Sequence, residues 1–410
     1  MNWPFFVARK LAARKQKTFS TAIIRLAVVA VGLSSAVMIL ALASVSGFQT
    51  GIKNKVIGVN GHIVVDDISN TEGAEPAPLP ISRENFTADI RSVSGVKSVS
   101  LVAIRPCIAR GESEIDGMLA RGVATNADLS FFKENLLSGS IPDFVKDSNT
   151  ALISSVTSKR LGLKIGDRIQ AIFFKQDSSG TKRPRAINPK ITGIFSTGLE
   201  EYDKSLILTH ISQIRKMMPK GTGFTQWEIR TQDFSKSEQV AEAIALKLPP
   251  GIFNINTAKR YNRQIFDWLA LLDTNVVIIL SLMLLVAGIG MCTTLLILVT
   301  ERTAMIGTLK ALGAKNGGIR QIFIFQVLFI VGLGLLLGNF LGLGLAYIQD
   351  EFGLILLNTE TYYVDRVLIE LNSFHLMLVN AGTILLCFVV LYLPARVIGR
   401  LSPVKTMRFQ

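Results

Sequence analysis

Four apolar runs decide what this chain can fold into: Leu26 to Val45, Leu269 to Val299, Ile319 to Ile348 and Phe374 to Leu393. At about 1.5 Å per residue each is long enough to cross roughly 30 Å of hydrocarbon. No soluble fold needs four such runs. The expected fold class is a membrane protein with four transmembrane α-helices in a one-plus-three arrangement and a large external α+β domain between spans one and two.

Charge then orients the spans. The chain carries a formal net charge of +14 and is 49% hydrophobic, with mean hydropathy +0.41. That pairing suits a membrane protein with basic cytoplasmic ends better than a nucleic-acid binder. Arg9, Lys10, Arg14, Lys15 and Lys17 precede the first run, and Arg396, Arg400, Lys405 and Arg408 follow the last. Both termini are therefore expected in the cytoplasm. The loop between spans three and four carries Asp350, Glu351, Glu360, Asp365 and Glu370 against the single Arg366, as expected for the far side. The expected order is a basic N-terminus (1–25), span one (26–45), an exported domain (46–266), span two (269–299), a cytoplasmic segment (300–318), span three (319–348), an external loop (349–373), span four (374–393) and a tail (394–410). Ala41-Leu42-Ala43 imitates a signal-peptidase site, but its apolar run is longer than a usual signal core, so it is read as an uncleaved span. Arg25, near the cytoplasmic end, is expected to snorkel to the headgroups.

The exported part alternates β-like runs with short helices. Strands are expected at His62–Asp66, Val96–Ala109, Arg168–Phe174, Lys190–Phe195, Ser205–Leu208 and Phe224–Arg230, all rich in β-branched or aromatic residues. Helices are expected at Ser154–Leu161 and at Glu238–Leu248, where Val240, Ile244 and Leu248 share a stripe that Pro249-Pro250 ends. The segment from about Arg105 to Pro189 is read as a second lobe inserted in an outer unit. Within it, Phe174 to Pro189 forms a polar excursion whose Lys182, Arg183, Pro184 and Arg185 concentrate positive charge. As a plain hairpin tip it needs no function; as a surface it suits an acidic partner or lipid headgroups.

No catalytic constellation emerges. His62, His210 and His375 are scattered without ligand spacing, so no metal site is expected. Cys107, Cys292 and Cys387 imply no disulfide framework. No G-x-x-x-x-G-K-[ST] phosphate loop is present, so any ATP used must be hydrolysed elsewhere. Gly334, Gly338 and Gly342 in the third run allow another helix to approach closely, either within this subunit or from a second subunit. The first run is also rich in small residues.

Between runs two and three lies Val299 to Ala314, VTERTAMIGTLKALGA, which reads as a short amphipathic helix at the membrane surface. Met305, Thr308, Leu309 and Leu312 fall at helical offsets on one face, while Arg302 and Lys310 point elsewhere. Gly313 supplies a left-handed helix end. A helix this short is marginal alone, so its apolar face is expected to dock on another protein.

This segment and the span layout resemble the permeases of the FtsX/MacB-like superfamily. The stretches ARKLAARKQKTFS, SVSGFQTGIKNKVIGVNGHIVV, RLGLKIGD and TYYVDRVLIEL are similar to those of the lipoprotein-releasing, Lol-type branch. The resemblance covers essentially the whole chain. It implies an ATP-driven machine of the bacterial inner membrane that lifts triacylated lipoproteins out of the outer leaflet and passes them to a periplasmic chaperone. Two permeases, identical or paralogous, would stand over two ABC ATPase subunits, which would bind ATP and Mg; this chain would hold no cofactor, and the exported domain would be periplasmic and would relay the motion mechanically. The coupling helix would use Glu301, Arg302, Met305, Leu309, Lys310, Leu312 and Gly313. The hairpin with Phe174, Lys182, Arg183, Pro184 and Arg185 would dock the chaperone, and Met38, Leu42, Val45 and Phe48 would line the lipid cavity. Two other members of the superfamily offer alternatives. A MacB-like efflux permease would normally carry its ATPase on the same chain, and an FtsX-like relay acting on cell-wall hydrolases would have an exported domain much smaller than roughly 220 residues.

Overall fold

A computed structural model describes residues 19–70, 75–111, 114–176, 182–358, 362 and 364–400. The basic residues expected before the first span, up to Lys17, and Lys405 and Arg408 lie outside the described residues. In chain order the helices are α1 (Phe19–Asn60), α2 (Phe86–Arg91), α3 (Ser130–Glu134), α4 (Ser155–Leu161), α5 (Glu200–Ser205), α6 (Ile211–Arg215), α7 (Ser237–Lys247), α8 (Ala258–Tyr261), α9 (Arg263–Glu301), α10 (Thr303–Ala311), α11 (Asn316–Phe352) and α12 (Ser373–Arg400). The strands are β1 (Ile63–Asp67), β2 (Leu79–Pro80), β3 (Val96–Arg110), β4 (Ile115–Val123), β5 (Leu136–Gly139), β6 (Thr150–Ser154), β7 (Gln170–Gln176), β8 (Lys182–Ile187), β9 (Lys190–Phe195), β10 (Leu206–His210), β11 (Thr222–Phe224), β12 (Gln226–Thr231) and β13 (Phe253–Thr257). Two compact units emerge: one holds residues 1–49, 268–356 and 366–410, the other residues 50–267 and 357–365.

In the first unit, α1, α9, α11 and α12 are long and apolar enough to cross a membrane. Gly334, Gly338 and Gly342 of α11 are consumed by α1. A Cβ on Gly334 would come within 2.8 Å of the Val31 Cβ, one on Gly338 within 2.6 Å of the Gly32 carbonyl oxygen, and one on Gly342 within 3.2 Å of the Ala36 Cα. The small-residue faces of the first and third runs therefore meet each other, which settles the two options left open by sequence in favour of packing inside the subunit. Close backbone approach maximises van der Waals contact where lipid tails offer no hydrophobic drive. α11 is joined to α12 by a reciprocal amide pair: Asn339 Nδ2 donates to Asn380 Oδ1 at 2.9 Å, and Asn380 Nδ2 donates to Asn339 Oδ1 at 3.2 Å. At the end of α11, Gln349 holds the loop that follows, donating to the Val367 carbonyl at 3.1 Å and accepting from the Ile355 N–H at 3.0 Å. That loop crosses α1 at Gly47, where a Cβ would meet the Leu368 carbonyl oxygen at 2.4 Å.

The second unit is built on one connected sheet with the order β13-β1-β12-β3-β4-β10-β6-β9-β5, to which β7 adds through β3 and β8 through β7. Its core face follows the two-residue alternation of strands. Trp227 and Ile229 of β12, and Cys107 and Ala109 of β3, turn into one buried cluster with α2, α6 and α7. The indole N–H of Trp227 donates to Thr87 Oγ1 at 2.9 Å, which satisfies its one polar group. β9 forms over Lys190–Phe195, where sequence placed it, and Ser154 caps α4 by accepting from the Thr157 N–H. The strand expected at Phe224–Arg230 is instead split at Thr225, whose hydroxyl accepts from the Ile104 N–H at 3.0 Å. Strands on both sides of the expected lobe boundaries at Arg105 and Pro189 lie on this one sheet, because β3 is long enough to serve β12, β4 and β7 together.

His62 stands where β1 begins. Its Nδ1 accepts from the Thr231 N–H at 3.0 Å and lies 2.6 Å from Thr231 Oγ1, and its ring meets Phe234 edge-on at 5.5 Å. Burial, with Arg230 and Lys97 nearby, lowers its pKa to about 4. Burial and Arg215 push His210 down as well. A histidine that titrates near 6.5 unfolded and near 4 folded binds more protons unfolded, so stability is lost as pH falls from 6.5 towards 4.

Two measurements follow from this architecture. Gly338→Leu forces a side chain against the α1 backbone and is expected to cost on the order of 1–3 kcal/mol, read as a lower unfolding midpoint in detergent; Gly344→Leu, which has open space around it, is expected to leave the midpoint alone. The midpoint of the wild-type external domain should fall between pH 6.5 and pH 4, and His62→Asn, which keeps an acceptor but cannot protonate, should flatten that slope. Equal slopes in the two proteins would remove His62 as the cause.

Candidate functional site

α10 is held between α9 and α11 by one residue that sequence reading passed over. Ile306 has no exposed surface and packs among Leu298, Val299, Ile319 and Phe323, with Leu309 and Ala314 partly buried against the same cluster. The helix closes as expected at Gly313, which takes φ 88°. The Gly313 N–H donates to the Lys310 carbonyl at 3.0 Å and the Ala314 N–H to the Leu309 carbonyl at 2.9 Å, the paired bonds of a left-handed helix end.

The face expected to dock is divided by this packing. Leu309 is half-buried against the chain's own helices and Met305 is half-buried, whereas Thr308 and Leu312 are exposed, Leu312 at 80%. The open stripe consists of Ala304, Thr308, Ala311 and Leu312. Glu301 is exposed; Arg302 and Lys310 are half-buried. Ile306 and Leu309 stand three residues apart, so their shared inward stripe was present in the sequence, but the offsets through Met305 and Leu312 fit helical spacing equally well.

β7 and β8 make an antiparallel arm. Phe174 pairs with Pro184 and Phe173 with Arg185, while the tip at 177–181 and the Lys182 side chain lie outside the described residues. The pleat separates the two aromatic neighbours: Phe173 is fully buried and anchors the arm, whereas Phe174 is 49% exposed opposite Pro184. Arg183 and Arg185 are exposed on the strand returning from the tip. The arm thus combines an outward Phe–Pro pair with a basic edge, and is rooted on β3 by the pairing of Ile172 with Ile108.

Two of the four residues expected around a lipid cavity, Met38 and Leu42, share one apolar cluster. Met38 is 1% exposed and packs with Ile39 and Val379. Phe48 stacks edge-on against Trp268 at 5.7 Å, and Val45 is half-buried. Leu42 does line a cavity, of about 80 Å³, with Ala43, Leu343, His375 and Leu376 among its walls. Among the described residues no group of three or more His, Cys, Asp or Glu side chains could hold a metal ion.

Comparison with known proteins bears on both units. The model of the MacB-like periplasmic core domain matches residues 25–246, and that of the FtsX-like permease C-terminal region matches residues 277–403. The chain is 22% identical over 417 residues to the lipoprotein-releasing system transmembrane protein LolC of Neisseria meningitidis, covering 98% of each chain. It is 23% identical over 420 residues to LolE of Haemophilus influenzae, covering 99% of each. Its similarity to the macrolide export ATP-binding/permease protein MacB of Bordetella avium, 30% over 156 residues, covers 38% of this chain and 22% of that protein. The chain belongs to the family of FtsX-like permeases with a MacB-like periplasmic core domain, and within it to the lipoprotein-releasing, LolC/LolE type.

Proposed function

We propose that this chain is a permease subunit of an ATP-driven ABC transporter of the bacterial inner membrane, which extracts lipoproteins and hands them to a periplasmic chaperone. The observation that carries this reading is its end-to-end similarity to lipoprotein-releasing permeases, against a partial similarity to an efflux pump. The physical requirement agrees. Each acyl CH2 taken out of the membrane forfeits about 0.8 kcal/mol, so removing three chains needs an energy source. With no phosphate loop on this chain, a separate ATPase subunit supplies it and holds the ATP and Mg.

The outward stripe of α10, which ends at Leu312, is the surface offered to that ATPase, and the basic termini lie on the same cytoplasmic side. The β7–β8 arm, with Phe174, Pro184, Arg183 and Arg185, is the surface offered to the chaperone. α9, which leaves Val277, Leu282, Leu285 and Ile289 exposed along its span, faces lipid or a second permease. The acyl chains are held where two permeases meet. The external domain passes the motion of the spans towards the chaperone.

Depleting the protein should cause outer-membrane lipoproteins to accumulate in the inner membrane; normal sorting after depletion would refute the reading. At the coupling stripe, Leu312→Asp is expected to leave stability within about 0.5 kcal/mol, because the site is exposed. It should nevertheless weaken ATPase association and substrate-stimulated turnover. Ile306→Asp, which buries an unpaired charge, should instead unseat α10 and lower the unfolding midpoint of the permease alone. A Leu312→Asp complex that assembles and turns over normally would place the ATPase elsewhere.

A further inference from the structure

α1 ends inside the external domain in a polar seat. The helix stops at Asn60, Gly61 turns with φ 77°, and the Gly61 N–H donates to the Ile57 carbonyl at 2.8 Å. The last carbonyls of a helix lack partners within it and form the negative end of its dipole. Here two arginines from different strands serve them. Arg121 of β4 donates through Nη2 to the Val59 carbonyl at 2.5 Å, and Arg230 of β12 donates through Nη2 to the Gly58 carbonyl at 3.2 Å.

Further contacts determine the rotation of the helix in its seat. Arg121 Nη1 donates to Asn60 Oδ1 at 3.1 Å, and Asn60 Nδ2 donates to the Tyr202 hydroxyl of α5 at 2.6 Å. Arg121 also pairs with Glu228, whose other oxygen accepts from Gln226 Nε2 at 2.7 Å. The Phe131 ring lies so close to Gly58 that a Cβ there would fall 2.1 Å from it. Arg121 is 4% exposed and Glu228 9%.

Stability alone does not account for this arrangement. Desolvating two charges costs about as much as their attraction returns, and apolar side chains of similar volume often do as well or better. What an apolar pair cannot do is hold two helix-end carbonyls and a side-chain amide in a fixed direction. The forked geometry of a guanidinium does so with one side chain.

We propose that Arg121, seconded by Arg230, is a positioning residue that seats the end of α1 on β4 and β12, so that movement of α1 passes to the sheet without slip. This rests on the transporter reading above. Because α1 is a single helix from Phe19 to Asn60, its seat is the place where a loose joint would dissipate that movement.

The test uses the complete complex, with its ATPase and second permease, in vesicles of phosphatidylethanolamine and phosphatidylglycerol, supplied with lipoprotein and chaperone. Arg121→Met with Glu228→Met removes both charges together, so no buried charge is left unpaired; the Val59 carbonyl, Asn60 and Gln226 lose a partner each, and the unfolding midpoint should fall only modestly. ATP consumed per lipoprotein released should rise severalfold, because the end of α1 loses its charged anchor on β4. Glu228→Gln, which leaves the bonds of Arg121 to Val59 and Asn60 in place, should keep the wild-type ratio, and Arg121→Lys should recover part of the loss. A folded double variant with the wild-type ratio overturns the proposal. So does a fall in release matched by an equal fall in ATP hydrolysis, which reports only lost complex. If the unmutated complex releases no lipoprotein, the transporter reading falls, and hydrogen exchange judges the seat. Faster exchange at Ile57–Asn60 in the double variant, with β4 and β12 unchanged, supports it; unchanged exchange overturns it.

Discussion

The contact on which the membrane unit depends is the seam where α1 and α11 touch backbone to backbone. Gly32, Gly334 and Gly338 leave no space for a methyl group at their tightest points, and Gly342 leaves little. Inside a bilayer, lipid competes equally for any apolar side chain, so packing this close is what distinguishes protein from lipid as a neighbour. The Asn339–Asn380 pair then attaches α12 to the same helix through polar groups whose alternative is an unpaired amide in hydrocarbon. α9 is left with much of its span uncovered.

The seam also bears on the short helix that follows α9. Ile306 occupies a pocket made by the last turns of α9 and the first turns of α11, so α10 is positioned by the helices it joins rather than by its own propensity. Nine residues form too little helix to persist alone. The left-handed end at Gly313 and the inward Ile306 together hold it, and the stripe around Leu312 remains free to meet another surface.

In the external domain the sheet carries the polar chemistry. β12 turns Trp227 and Ile229 into the apolar core and Glu228 away from it, and β4 does the same with Ala120 and Arg121. The face opposite the core thereby acquires the paired charges that receive the end of α1. The β7–β8 arm follows the same rule, since burial of Phe173 turns Phe174 outward.

Sequence by itself determined the local features: the four spans, the end of α10 at Gly313, the strand at Lys190–Phe195, the hairpin arm and the family resemblance. Each depends on composition, period or a residue with special backbone freedom, all of which act within a few residues. β4 was missed because Gly117 and Gly122 weaken its strand signal, and pairing with β3 and β10 supplies what propensity lacks. Only the tertiary structure decided which of two equally periodic stripes of α10 turns inward, that the glycines of α11 meet α1, and that Met38 is packed away. The same holds for Arg121, which looks like an ordinary surface cation in sequence yet joins Val59 to Glu228, residues 62 and 107 positions away. Helical and strand periods report which residues share a face; what covers that face is a long-range choice, made by packing and by the need to pair every buried charge.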